Sequence, residues 1–453
     1  MSKMSMQIHP TFLWLQAILT ERFGGLLILA EPAQGFATLS VQGRPGVIRI
    51  ASDPSTFSRS DSELPLTYWN GAAEGWTMPL NEGLPAPGLD NLPLPLIEKD
   101  ETGFTIYYDI LGLAYWMLSR CEEVGRTDLD EHDRFPAYSS HAYRHGYLER
   151  PIVDEWLDVL RQVIRRLWPD TPLLEPHFSM RVSHDVDWPS FYGFKTFKRV
   201  MVEITGKLLR SHTQTRALEA LSLWYGSRKT LHPADPFNTF SWIMDLSERH
   251  GLASAFYFIC GRTDPSRDAV YEPEHPAIRD LMRNIHRRGH EIGLHASYNT
   301  YRQPGAIAVE AQRLKRICAE ENIEQDAWGG RMHFLRWETP TTLYGWEDAG
   351  MAYESTLTYP DSAGFRCGTS FEYPAFDPVA GKALNLRVRP LIAMESTVMS
   401  SSYMDRGTGE EAFIKFTQLK DACRAVNGCF TLLWHNSQLE TPEKRALYAR
   451  LLA

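Results

Sequence analysis

From Phe178 to Leu452 the sequence alternates short apolar runs with amphipathic stretches, and this alternation constrains the fold more than any other feature. Strands are predicted over Ala253 to Cys260, Glu291 to His295, Ala327 to Phe334, Met351 to Leu357, Ala383 to Met394 and Cys429 to His435. Between and after them the spacing predicts helices over Asn238 to Arg249, Ala277 to Arg288, Ala306 to Glu321, Thr341 to Ala349, Gly409 to Val426 and Pro442 to Leu452. Strands separated by helices favour a mostly parallel sheet or barrel with helices outside. An earlier apolar run from Leu173 leads into Arg181-Val182-Ser183-His184-Asp185-Val186-Asp187, and Trp188-Pro189 ends it. The expected architecture is a distorted (β/α) barrel of about seven strands over 177–453. A helical insertion falls at about 189–236.

The 453 residues exceed one ordinary core, so a second, smaller α/β domain is expected over 1–176, with Pro169 to Pro176 as the linker. It reads as a helix from Phe12 to Phe23, strands at Leu26 to Ala30 and Gly46 to Ile50, and helices at Asp109 to Glu123 and Pro151 to Trp168. Ala51 to Glu101 is rich in Pro, Gly, Ser and Asn and reads as irregular. Thr127 to Tyr143 is polar, with Asp128, Asp130, Glu131, His132, Asp133 and Arg134 ahead of Phe135-Pro136, but these charges lack the glycine and spacing of a calcium loop, so a solvated or interface loop is expected.

A net charge of −9 argues against a nucleic-acid partner. The apolar stretch Thr11 to Thr20 runs into Glu21-Arg22 and reads as an amphipathic helix rather than a leader or a membrane span. Six cysteines without CxxC spacing fit reduced thiols in a cytoplasmic protein. Oligomeric state leaves no mark on the sequence.

Two carboxylates, Asp185 and Asp187, sit at a strand exit, where α/β folds build their chemistry. Two residues apart on a strand, they point to one side, and so close together they call for a cation or an arginine nearby. Later strand ends carry His295, Arg331 and His435.

The order and surroundings of these residues resemble the polysaccharide deacetylase family, the NodB-type enzymes of carbohydrate esterase family 4. Ser183-His184-Asp185-Val186-Asp187 looks like the x-Asp-x-Asp form of its first motif. Gly289-His290-Glu291-Ile292-Gly293-Leu294-His295 is similar to its Gly-His-Glu-Ile-Gly-x-His. Arg331 in Arg-Met-His-Phe resembles the third motif, and Leu432-Leu433-Trp434-His435 the last. Gly364-Phe365-Arg366-Cys367-Gly368 is similar to a stretch often found between those two. The whole chain looks like a subgroup with a long N-terminal domain of unassigned role.

The resemblance implies a NodB-like barrel and a metal-dependent hydrolase that removes N-acetyl groups from an amino sugar, in a bacterial surface polysaccharide or its precursor. It implies Asp185 as general base, Arg331 as the residue that holds it, and His435 as general acid. Asp187 and His295 would hold a divalent metal, with zinc expected and other transition metals possible. The family's second ligand histidine lies four residues after the first, where this chain has Asn299, whose amide oxygen could still face the metal. His290, five residues before His295, points to the opposite strand face and reads as structural. His184, His333, Trp434 and Arg366 are expected to line the substrate pocket, and Trp188 and Trp337 could stack on a sugar. The basic insertion would act as a lid over an anionic carbohydrate substrate. Two other readings stay open: an amidase on another linear amide, and a catalytically silent carbohydrate-binding relative.

Overall fold

The computed structural model describes residues 9–80, 83–202, 215–227 and 229–453. The C-terminal part is built on a nine-stranded sheet. Its strands are β8 (Ser179–Val186), β9 (Ser254–Ile259), β10 (Glu291–Ala296), β11 (Gly329–Met332), β12 (Tyr353–Glu354), β13 (Tyr373–Asp377), β14 (Lys382–Val388), β15 (Ala393–Met394) and β16 (Cys429–Leu433). Their spatial order is β13-β14-β12-β11-β10-β9-β8-β16-β15, and every neighbouring pair except β13–β14 is parallel. Parallel strands covered on both faces are apolar throughout, and all of β9, Ser-Ala-Phe-Tyr-Phe-Ile, is buried. The helix Pro276–Arg287 shows how the outer layer forms. Pro276 sits at its start, His275 caps it, and Ala277, Ile278, Leu281, Met282 and Ile285 make one buried stripe. Gly289, at φ 77, then turns the chain into β10.

The sheet curls. In a flat sheet β8 and β11 would lie about 14 Å apart, three strand spacings. Arg331 of β11 nevertheless donates to Asp185 of β8 at 2.7 Å. The hydroxyls of Tyr257 on β9 and Tyr353 on β12 likewise meet at 3.1 Å. The predicted long strand from Ala383 to Met394 is in fact two, interrupted around Pro390. Its first half joins β12 near one end of the sheet, and its second half pairs with β16 at the other. Five peptide steps from Val388 to Ala393 span at most about 18 Å, so this short link holds the two ends of the curled sheet together.

The N-terminal part contributes a five-stranded sheet of β1 (Leu27–Ala33), β2 (Phe36–Val41), β3 (Val47–Ala51), β6 (Ile97–Lys99) and β7 (Gly103–Ile106), in the order β1-β2-β3-β7-β6. A separate hairpin pairs β4 (Leu66–Trp69) with β5 (Leu84–Pro87), inside the stretch expected to be irregular. β8 begins at Ser179 rather than near Leu173, because Leu174 donates to the Phe23 carbonyl at the end of the first helix. One continuous apolar core joins both parts of the chain. Trp14 packs on Phe376 with ring centres 4.8 Å apart and donates to the Pro374 carbonyl. Arg366 forks onto Glu123 at 2.6 and 2.9 Å.

Of the expected basic insertion, Tyr192, Val200 and Leu223 form a small apolar cluster, while 203–214 and 228 lie outside the described residues. The six cysteines form no disulfide, and five are buried. Among the described residues no helix is long and apolar enough to cross a membrane.

Candidate active site

On β8 the side chains alternate. Ser183 and Asp185 face the inside of the curl, and His184 faces the outer helices. Asp185 is buried, with one oxygen held by Arg331 and the other 3.6 Å from His295 Nε2. Burial alone would raise its pKa. The charges of Arg331, His295 and His435 outweigh that and keep it below the ordinary carboxylate range. Arg331 is fully buried and anchored in turn, donating to Ser183 Oγ at 2.9 Å and to the Ser355 carbonyl at 2.7 Å. Such close packing requires glycine in β11, since a Cβ at Gly330 would lie 1.9 Å from the Leu294 carbonyl oxygen.

Three imidazoles converge on Asp187. His295, from the end of β10, has Nδ1 3.0 Å from the Arg331 carbonyl oxygen. His333, just past β11, has Nδ1 2.9 Å from Asp268 Oδ1. His435, just past β16, has Nδ1 2.5 Å from Glu395 Oε1. With the Nδ1 proton committed to an acceptor, each neutral ring presents its Nε2 lone pair, the usual preparation of a metal-binding or acid–base histidine. Those Nε2 atoms lie 3.3, 3.8 and 3.6 Å from the Asp187 oxygens. Asp187 Oδ1 is buried without a hydrogen-bond partner.

Lone pairs facing a carboxylate at such distances call for positive charge, as protons or as a cation. The charges around the site make the same demand. Burial works against the charged form of His435, but Glu395 and the two aspartates raise its pKa to about 10. Burial also opposes charge on His295, and Asp185 and Asp187 more than offset it. Asp187 is drawn well below the ordinary range against its burial, by His333, His295 and His435. One donor atom each from Asp187, His295 and His333 lies within 4.8 Å of the others, and an Asp-His-His set with an open position suits zinc.

Asn299 is not in this group. Its amide oxygen accepts from Arg336 at 3.0 Å and its amide nitrogen donates to the Thr263 carbonyl, so it ties down the turn after β10. His333 stands where Asn299 was expected.

Three further expectations are corrected by burial. His184 stacks on Phe256, its Nδ1 lies 2.6 Å from the Trp434 carbonyl oxygen, and burial drives its pKa down to about 3. Trp434 packs between Phe416 and Tyr448 on the same outer face. Arg366 is buried and spent on Glu123 and the Thr358 carbonyl. Trp337 is core, whereas Trp188 is 40% exposed. His290 accepts from the Ser254 amide, a structural use. Sequence reading missed Glu395 and Asp268, which orient His435 and His333. Neither stands in a motif, and each is identified only by what it touches.

A family model described as a family of unknown function, DUF7033, matches residues 45–169. No curated protein matches the chain. Among solved structures, a protein described as a polysaccharide deacetylase from Mycobacterium smegmatis is 15% identical, with a TM-score of 0.38 over 63% of this chain and 84% of that one. Puue allantoinase is 17% identical, with a TM-score of 0.35 over 61% and 83%. A protein described as a polysaccharide deacetylase from Pseudomonas aeruginosa PAO1 is also 17% identical, with a TM-score of 0.34 over 61% and 84%. Likenesses this distant carry no chemical argument, which rests on the site itself.

Proposed function

We propose that this protein is a metal-dependent hydrolase that removes N-acetyl groups from an amino sugar, in a bacterial surface polysaccharide or its precursor. The observation that carries the reading is the ring of three Nδ1-anchored imidazoles around Asp187, beside an aspartate held by a buried arginine. Asp187, His295 and His333 would hold a divalent cation, with zinc the best match to two imidazoles and a carboxylate. When bound, the cation supplies Lewis-acid polarisation of the amide carbonyl. Asp185 takes the proton of the attacking water at the oxygen that Arg331 leaves free. Arg331 keeps that carboxylate ionised and aimed. His435, steadied by Glu395, delivers a proton to the departing amine nitrogen. The sugar enters through the resemblance of the four motifs, because nothing in the acid–base set itself selects a carbohydrate. In this reading residues 177–453 form the catalytic, NodB-like domain, and 1–176 pack on it as a second domain. The unpaired cysteines fit a cytoplasmic setting.

Metal analysis of the purified protein, followed by acetate release from N-acetylhexosamine oligomers, tests the reading. Bound metal with acetate release supports it. Ammonia release from other linear amides would make it an amidase, and absence of both metal and turnover would leave a silent carbohydrate binder.

A further inference from the structure

The turn that presents His333 is strained. Phe334 (φ 60, ψ 14) and Leu335 (φ 57) are consecutive bulky residues in the left-handed region, which such side chains occupy only when their surroundings impose it. Part of what imposes it comes from residues 130–134, about 200 positions earlier in the chain. Arg134 donates to the Phe334 carbonyl at 2.9 Å. In the reverse direction, Arg336 donates to the His132 carbonyl at 2.8 Å and to Asp133 at 2.7 Å. The two arginines thus cross between the 130–134 loop and the 333–336 turn, each gripping the backbone of the other segment.

The loop is stiff enough to serve as an anchor. Asp130 accepts from the amides of His132 and Arg134 and from Arg134 Nε, and its own amide donates to the Arg134 carbonyl. Phe334 is packed by His132 at 4.9 Å and by Tyr298 at 5.2 Å between ring centres. The Arg336 guanidinium lies 4.0 Å from each of the Tyr298 and Tyr301 rings. Arg134 and His132, within the Thr127 to Tyr143 stretch expected to be a solvated or interface loop, thus lie against the residue that follows His333.

We propose that the 130–134 loop is a working part of the active site, a clamp that holds the strained turn and thereby fixes His333, with Arg134 as its positioning residue. This gives a role to the region matched only by a family of unknown function. It also explains how a histidine just past β11 can stand where Asn299 cannot, since the turn it needs is held from outside the barrel. The consequence for metal rests on the deacetylase reading, whereas the hold on the turn does not.

Arg134→Ala, Arg134→Lys and the wild type are compared by hydrogen–deuterium exchange over residues 329–340 and by zinc titration against a competing chelator. Arg144→Ala, which cuts a surface pair with Glu63 in the same region, is the control. In Arg134→Ala we expect faster exchange over the turn and a zinc dissociation constant at least tenfold higher, on the scale of lost outer-shell support. Arg134→Lys should be intermediate, because one ammonium cannot serve both Phe334 and Asp130. The control should change neither. Wild-type exchange and wild-type zinc affinity in both Arg134 variants would overturn the clamp. If the wild type binds neither zinc nor another divalent transition metal, the metal-dependent reading falls and exchange alone decides the clamp. If Arg134→Ala does not fold, Arg134→Lys decides it by the same two measurements.

Discussion

Asp185 has one oxygen committed to Arg331, so it can gain and lose a proton at the other without leaving its anchor. Asp185→Asn keeps the shape and removes the base, and acetate release should fall by about a hundred- to ten-thousand-fold with zinc content unchanged. A variant that keeps a tenth of the wild-type rate would dismiss Asp185 as the base. His333 and Asn299 make opposite forecasts for metal. His333→Ala should weaken zinc on the order of a hundredfold, and Asn299→Ala far less, because the Asn299 amide is already engaged with Arg336 and Thr263. Equal losses in the two variants would return Asn299 to the site. The period of two was enough to find His333, which follows Arg331 by two residues and therefore shares its inner face. The same rule sends His184 to the outside once Asp185 and Asp187 face in. Glu395 and Asp268 were beyond any such rule. Their roles arise from contacts across 40 and 65 residues, which no local pattern encodes.

At the scale of elements, the curl of the sheet is bolted at the end away from the chemistry. Glu372, just before β13, takes Arg181 of β8 at 2.7 Å, Arg387 of β14 at 2.6 Å and Arg389 at 3.0 Å. Burial alone would raise its pKa, but Arg389, Arg181 and Arg387 outweigh that and bring it down to about 2. A carboxyl depressed on folding stabilises above its unfolded pKa, near 4.5, and loses that contribution as pH falls toward 2. The shift corresponds to about 3 kcal/mol. Glu372→Gln should therefore flatten the fall of the urea midpoint between pH 5 and pH 2, and parallel wild-type and mutant curves would refute the bolt. The parallel sheet was legible because strands buried on both faces read as apolar runs. The curl was not, and neither was the split of Ala383 to Met394, because both depend on which distant strands each half meets.

Across the whole molecule, Arg366 and Glu123 join the two parts of the chain in a fully buried pair. Arg366→Met leaves Glu123 buried with a single guanidinium, Arg120, and should cost roughly 3–5 kcal/mol in stability. Zinc affinity of the folded fraction should not change, since the Arg366 guanidinium is committed to Glu123 and the Thr358 carbonyl, and a matching loss of affinity would show the two are coupled. Such an interface was foreshadowed only by length, which asked for more than one core. The order of the strands carries a further consequence. β8 lies between β9 and β16, yet β16 is made last, after the rest of the sheet. At ordinary elongation rates a nascent chain waits tens of seconds with one edge of β8 uncovered. His435 emerges directly behind that strand, so its imidazole reaches Asp187 only once β16 has paired with β8. On the proposed reading, a chain that has not yet paired β16 with β8 holds Asp185 and the three metal-site side chains but lacks His435, so hydrolysis would wait for that seam.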